Sequence, residues 1–117
     1  MGLFNKKQHE NEYEKAQKEM NQEPTTTSQE RIFYDRITGD DNKTLYYVDL
    51  MKDHRPLVLD FELVDVATAN KVLAFLAGAT YVLKGKTVKV DEKIYLFALS
   101  EDFLDGTLDS WLKYLKG

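Results

Sequence analysis

The sequence predicts one small α/β (α+β) domain closed by a short C-terminal helix, and three stretches carry that prediction. Residues 56–63, PLVLDFEL, place Leu57, Leu59, Phe61 and Leu63 at alternate positions, the period of a strand. Residues 66–77 set Val66, Ala69, Val72, Leu73 and Leu76 in one helical stripe, which should pack on a sheet. Residues 79–99 then read as three short strands in quick succession. The rest of the chain leads into this last block or lies beside it.

Taken in order, residues 31–37 (RIFYDRI) are rich in β-formers and give the first strand. Residues 38–42 (TGDDN) form a turn in which Asp40 or Asp41 is placed to cap a helix. Residues 43–53 carry both signals: Thr44 to Val48 favour a strand, whereas Leu45, Val48 and Met51 are spaced for a helix. Periodicity alone does not choose. Asp65 caps the helix 66–77, and Phe75 falls opposite its apolar stripe. Gly78 is placed to end that helix without a Cβ penalty. ATYVL (79–83) reads as a strand, Lys84-Gly85 as a tight hairpin turn, KTVKV (86–90) as the next strand, and Asp91-Glu92 as the next turn. KIYLFAL (93–99) is apolar on both faces, so both need cover from helices, a partner or the C-terminal segment. After an acidic loop, Leu108, Trp111, Leu112 and Leu115 mark an amphipathic helix over 107–116. It either folds back on its own domain or offers Trp111 to an assembly contact.

Composition narrows the function classes. A chain of 117 residues defaults to one domain, and the absence of cysteine removes disulfides, thiolate metal sites and a cysteine nucleophile. That usage fits a reducing cytoplasm. Only His9 and His54 are present, far apart, which disfavours a histidine-built metal or catalytic cluster. A net charge of −4 disfavours a large nucleic-acid footprint. No apolar run approaches the roughly 20 residues that span a bilayer, and no signal peptide is expected.

The N-terminus divides into a possible membrane-binding tip over 1–8 and a polar, flexible linker over 9–29, ahead of a core domain over 30–117. In the tip, Leu3 and Phe4 are apolar and Lys6 and Lys7 cationic, the pattern of an interfacial anchor. Each buried Leu or Phe contributes roughly 1.5–3 kcal/mol at most. Each Lys near an anionic leaflet adds about 1 kcal/mol. One tip therefore binds weakly, and many displayed together bind well.

A family resemblance rests on Arg55-Pro56 before PLVLDFEL, on Ala69 and Phe75-Leu76 in the helix, on Gly78-Ala79-Thr80-Tyr81 after it, and on Lys93-Ile94-Tyr95-Leu96 in the last strand. With these residues the chain resembles a divergent member of the SepF family of bacterial cell division proteins, over roughly 31–99. The resemblance resolves residues 43–53 as a helix. It implies a compact sandwich of two helices packed on a five-stranded, mostly antiparallel sheet in the order βαβαβββ. It implies no enzymatic activity and no cofactor or metal. It implies a homodimer that polymerises and a core that binds the C-terminal peptide of the tubulin-like GTPase FtsZ. It also implies an N-terminal helix on the inner face of the membrane at the division septum. Carried over residue by residue, the FtsZ contacts are Ala69 and Tyr95, with Phe97 beside Tyr95. Phe75, Gly85 and Trp111 are candidates for the oligomer interface. The chain departs from the family pattern in its short tip and linker, in Lys84-Gly85 and Asp91 at the turns, and in a loop without proline after the last strand.

Two other classes compete. A small ferredoxin-like RNA-binding module would stack bases on Tyr81, Tyr95 and Phe97, with Lys84, Lys86, Lys89 and Lys93 as its basic patch. An enzyme would need a carboxylate pair from Asp60, Glu62 and Asp65, on a strand face that alternation leaves solvated.

Overall fold

The computed structural model describes residues 26–39 and 43–116. The N-terminal tip, most of the linker and the capping role given to Asp40 or Asp41 lie outside the described residues. The elements are β1 (Phe33–Arg36), α1 (Thr44–Lys52), β2 (Leu57–Asp60), α2 (Val66–Val82), β3 (Gly85–Asp91), β4 (Ile94–Leu99) and α3 (Thr107–Lys116). Short 3₁₀ turns occupy Gln29–Arg31 and Ser100–Phe103. The sheet has four strands in the order β1-β2-β4-β3. β1 runs parallel to β2, whereas β4 is antiparallel to both of its neighbours, β2 and β3.

The fifth strand expected at residues 79–83 is instead the end of α2. Tyr81, Val82 and their neighbours favour strands in isolation, but position outweighs propensity here. One turn beyond Leu76, Thr80 falls on the same helix face and is 1% exposed. Its hydroxyl donates to the Leu76 carbonyl at 2.6 Å. Continuing the helix extends the stripe Ala69, Val72, Leu73, Leu76 by Thr80 and Leu83, the latter packing on the core. A strand would have turned alternate residues out. Val66, assigned to that stripe from sequence, is exposed instead.

Gly78 therefore lies inside α2. The left-handed residue that stops the helix is Lys84, at φ 61°, and β3 starts directly after it. So Lys84-Gly85 joins a helix to a strand and does not close a hairpin. Gly85 is required by a close approach: a Cβ there would run into the Ala98 carbonyl oxygen, and would lie 2.7 Å from Thr80 Cγ2. The hairpin turn at Asp91-Glu92 is present, with a register irregularity between Lys89 and Asp91.

The sheet is covered on both faces. On one, Leu57, Leu59 and Phe97 pack with Tyr47 and Met51 of α1 and Val72 and Leu76 of α2. On the other, Val58, Leu96 and Ala98 pack with Phe103 and with Leu108, Trp111 and Leu112 of α3. β2 and most of β4 are thus buried on both sides, the setting their continuous apolar runs called for. The C-terminal helix supplies the second cover, folded back on its own domain. β2 ends at Asp60, short of the predicted 63, and Leu63 is exposed.

Asp60 is 4% exposed, so the solvated face expected for it is not found. Its carboxylate accepts from the Tyr34 hydroxyl and the Glu62 backbone N–H and pairs with Arg36 at 3.4 Å. Asp65 caps α2, accepting from the Thr68 N–H at 2.7 Å, which holds its carboxyl below the usual range. Both of these carboxylates thus have structural roles.

Thr26, inside the stretch read as linker, accepts through its carbonyl from the Arg31 guanidinium at 2.7 Å. The Ser28 N–H donates to Asp105 Oδ2 at 2.9 Å and the Gln29 N–H to Thr107 Oγ1 at 3.0 Å, tying the chain's entry to the start of α3. Beside this, Arg31 and His54 both reach Asp102 Oδ1, at 3.5 and 3.2 Å. Burial pushes the Asp102 carboxyl up, against the opposing pull of His54 and Arg31.

Candidate functional site

The partner-binding residues expected from sequence sit on the helical side of the sheet. Tyr95 of β4 pairs with Leu59 of β2 and Lys89 of β3, in the middle of the sheet's width. Its ring is half-buried, edge-on to Phe61 at 5.8 Å and tilted over Phe97 at 6.5 Å. Ala69, in the first turns of α2, packs partly exposed on the same apolar cluster. The fold therefore sets both residues at the margin of one core. Phe97 is fully buried. It buttresses Tyr95 from below and presents no surface of its own in this conformation.

The expected oligomer residues do not form one patch. Phe75 is 46% exposed and belongs to the outer face of α2. That face also carries Ala67, Lys71, Ala74, Gly78, Tyr81 and Val82, all exposed, with a single charge among them. A helix apolar on both sides is normally covered on both. The sequence did not reveal this face because the strand assigned to residues 79–83 cut it short. Gly85 is held by contacts inside its own fold. Trp111 is half-buried against the second core, and packs within its own domain.

The aromatic residues offered for RNA stacking do not share an open sheet face. Tyr81 lies on α2, while Tyr95 and Phe97 point beneath α1 and α2. That arrangement does not favour the RNA-binding alternative. Among the described residues no group of three or more His, Asp or Glu side chains is placed to hold a metal ion. No helix among them is long and apolar enough to cross a membrane.

The sequence model of the SepF family, described as Cell division protein SepF, matches residues 42–101. That stretch is 60 of the chain's 117 residues and runs from the start of α1 past the end of β4. The chain belongs to the SepF family. Several curated relatives carry the name Cell division protein SepF. One from Symbiobacterium thermophilum is 45% identical over 51 residues, covering 44% of this chain and 25% of the relative. One from Carboxydothermus hydrogenoformans is 33% identical over 60 residues, covering 51% of this chain and 44% of the relative. One from Alkaliphilus oremlandii is 28% identical over 89 residues, covering 76% of this chain and 60% of the relative. The chain thus spans between a quarter and three fifths of the length of these SepF proteins. The matched stretch includes Ala69, Phe75, Gly85, Tyr95 and Phe97.

Two features escaped the sequence reading. The cluster of Arg31, His54 and Asp102 joins residues 71 positions apart, which no local pattern encodes. The tie from Ser28 to Asp105 had a readable half: Asp105, two residues before Thr107, is a helix-start signal, and its carboxylate does accept from the Thr107 N–H.

Proposed function

We propose that this SepF-family chain is a division scaffold: a homodimer whose core binds the C-terminal peptide of FtsZ and whose N-terminal tip contacts the inner face of the membrane at the septum. What carries the reading is the family match, which spans every core element from α1 to β4 and so contains the residues assigned to the grip. Tyr95 offers a flat, half-exposed aromatic surface to a peptide, and Phe97 holds it in place. Ala69 acts at the neighbouring helix–sheet contact, where a larger side chain would overpack. The apolar outer face of α2, centred on Phe75, suits a second copy, and stacking of such dimers gives the polymer. Leu3, Phe4, Lys6 and Lys7 supply the membrane contact, strengthened when many tips are displayed together.

The test is a titration of the full chain with a fluorescent FtsZ C-terminal peptide, wild type beside Tyr95→Ser, with circular dichroism to check folding. Saturable binding that the folded variant loses supports the reading. A folded wild type that binds no peptide ends it.

A further inference from the structure

We propose that the groove between the sheet and the C-terminal half of α3 is a docking site for the chain's own N-terminal residues 1–7. The groove has a volume of about 500 Å³ and is lined by Tyr34, Val58, Val90, Ile94, Trp111 and Leu115, with Asp91 at its rim. α3 shields the middle of this sheet face but leaves Tyr34 and Leu115 about half exposed, 52% and 48%. A second depression, of about 300 Å³, adjoins the groove through Asp91 and Ile94 and adds Asp60, Glu62, Glu92 and Lys93. Asp60 is already paired with Arg36. That leaves Glu62, Asp91 and Glu92 against Lys93, a rim of net negative charge beside an apolar trough.

Such a site selects a segment with bulky apolar side chains followed closely by cations. Residues 1–25 contain one such segment, Leu3-Phe4 followed by Lys6-Lys7. Tyr13 and Met20, the other bulky apolar residues there, are each preceded directly by a glutamate that this rim would repel. The described part of the chain also begins on the correct side. Through Ser28 and Gln29 it is bound to Asp105 and Thr107, at the start of the helix that walls the groove. Residues 8–25 number 18, a tether that spans up to about 60 Å when extended, so reach imposes no limit.

Leu3 and Phe4 in the groove are not available to a bilayer. The domain would then hold its own tip back until an anionic surface or a rise in salt competes for it. This last consequence rests on the membrane reading above; the docking itself does not.

Trp111, the one tryptophan in the chain, sits in the groove and reports on its occupancy. The experiment compares Trp111 emission and acrylamide quenching in the full-length wild type, in Leu3→Ser/Phe4→Ser, and in Glu62→Lys/Glu92→Lys. Docking predicts red-shifted emission and about two-fold stronger quenching in both variants, with the far-UV circular dichroism of the tip variant unchanged. A synthetic peptide of residues 1–8, added to the tip variant, should reverse the shift at roughly millimolar concentration, the effective concentration of a tethered segment. Equal emission and quenching in wild type and tip variant overturn the proposal. So does a signal that follows protein dilution and ignores the tip substitutions, which would put a second copy in the groove. Co-sedimentation with phosphatidylcholine–phosphatidylglycerol vesicles is read separately. Tip-dependent sedimentation without the tryptophan signal removes docking and keeps membrane binding; the signal without sedimentation does the reverse.

Discussion

Replacing Leu108 with alanine asks whether α3 belongs to the domain that carries it. Leu108 is fully buried and meets the cluster of Val58, Leu96, Ala98 and Phe103. Truncating a buried leucine typically costs about 2–5 kcal/mol, the transfer loss plus the cavity left behind. Its neighbours Val58, Leu96 and Ala98 stand on the central strands β2 and β4, which limits relaxation into the cavity, so the upper half of that range applies. A domain of this size has roughly 5–15 kcal/mol in total, so the loss is a large fraction. It corresponds to a fall in Tm on the order of 10 °C or more. A helix of 10 residues is also marginal on its own, so α3 should fray as its anchor goes. The assay is urea unfolding at several protein concentrations, followed by circular dichroism and by Trp111 emission. A destabilisation below about 1 kcal/mol, the same at every concentration, would refute the docked helix. It would mean α3 serves a contact outside the domain.

Gly85→Ala should destabilise by about 1–3 kcal/mol, since the new methyl meets the Ala98 carbonyl and Thr80 Cγ2. Dilution into the monomer range must leave that loss intact, whereas unchanged stability with lost self-association would make Gly85 an interface residue instead. Phe75→Lys, on the exposed side of α2, should leave unfolding within about 0.5 kcal/mol of wild type. It should lower the mass seen by light scattering; an unchanged mass moves the dimer contact elsewhere. The Asp105 carboxyl is held down to about 2, first by the Thr107 backbone N–H and then by that of Ser28. The folded state therefore binds this proton less readily than the unfolded chain. Its contribution is complete above about pH 4 and fades as pH falls towards 2. Asp105→Asn should flatten stability over that window in acid titrations followed by circular dichroism, and an unaltered acid limb would count against the tie.

The legible parts of the fold were those in which one periodic pattern met no competitor. The first half of PLVLDFEL, the stripe from Ala69 to Leu76 and the helix marked by Leu108, Trp111 and Leu112 each appear where their spacing put them, whereas Leu63 and Leu115 are exposed. The failure at residues 79–83 has a clear cause. Thr80 satisfies the strand rule locally, but its place one turn after Leu76 lets the helix bury it against Met51. Only the three-dimensional position of Met51 decides between the two. Asp60 failed similarly: alternation assigned it to a solvated face, and the parallel neighbour β1 brought Tyr34 and Arg36 onto it. Of the candidate site, Tyr95 and Phe75 were readable as aromatic positions. The depth of Phe97 and the internal role of Gly85 depend on contacts across the sheet and could not be read from the chain.

The corner where Ser28, Gln29 and Arg31 meet Asp105, Thr107 and Asp102 also has a mechanical consequence. If, on the function proposed, the N-terminus is held at a membrane while the core holds its partner, tension passes through Thr26 on its way to the sheet. It reaches these three cross-links before the hydrogen-bond ladder of β1. Load is thereby shared with the C-terminal half of the chain, and the four-residue edge strand is not the first element asked to bear it.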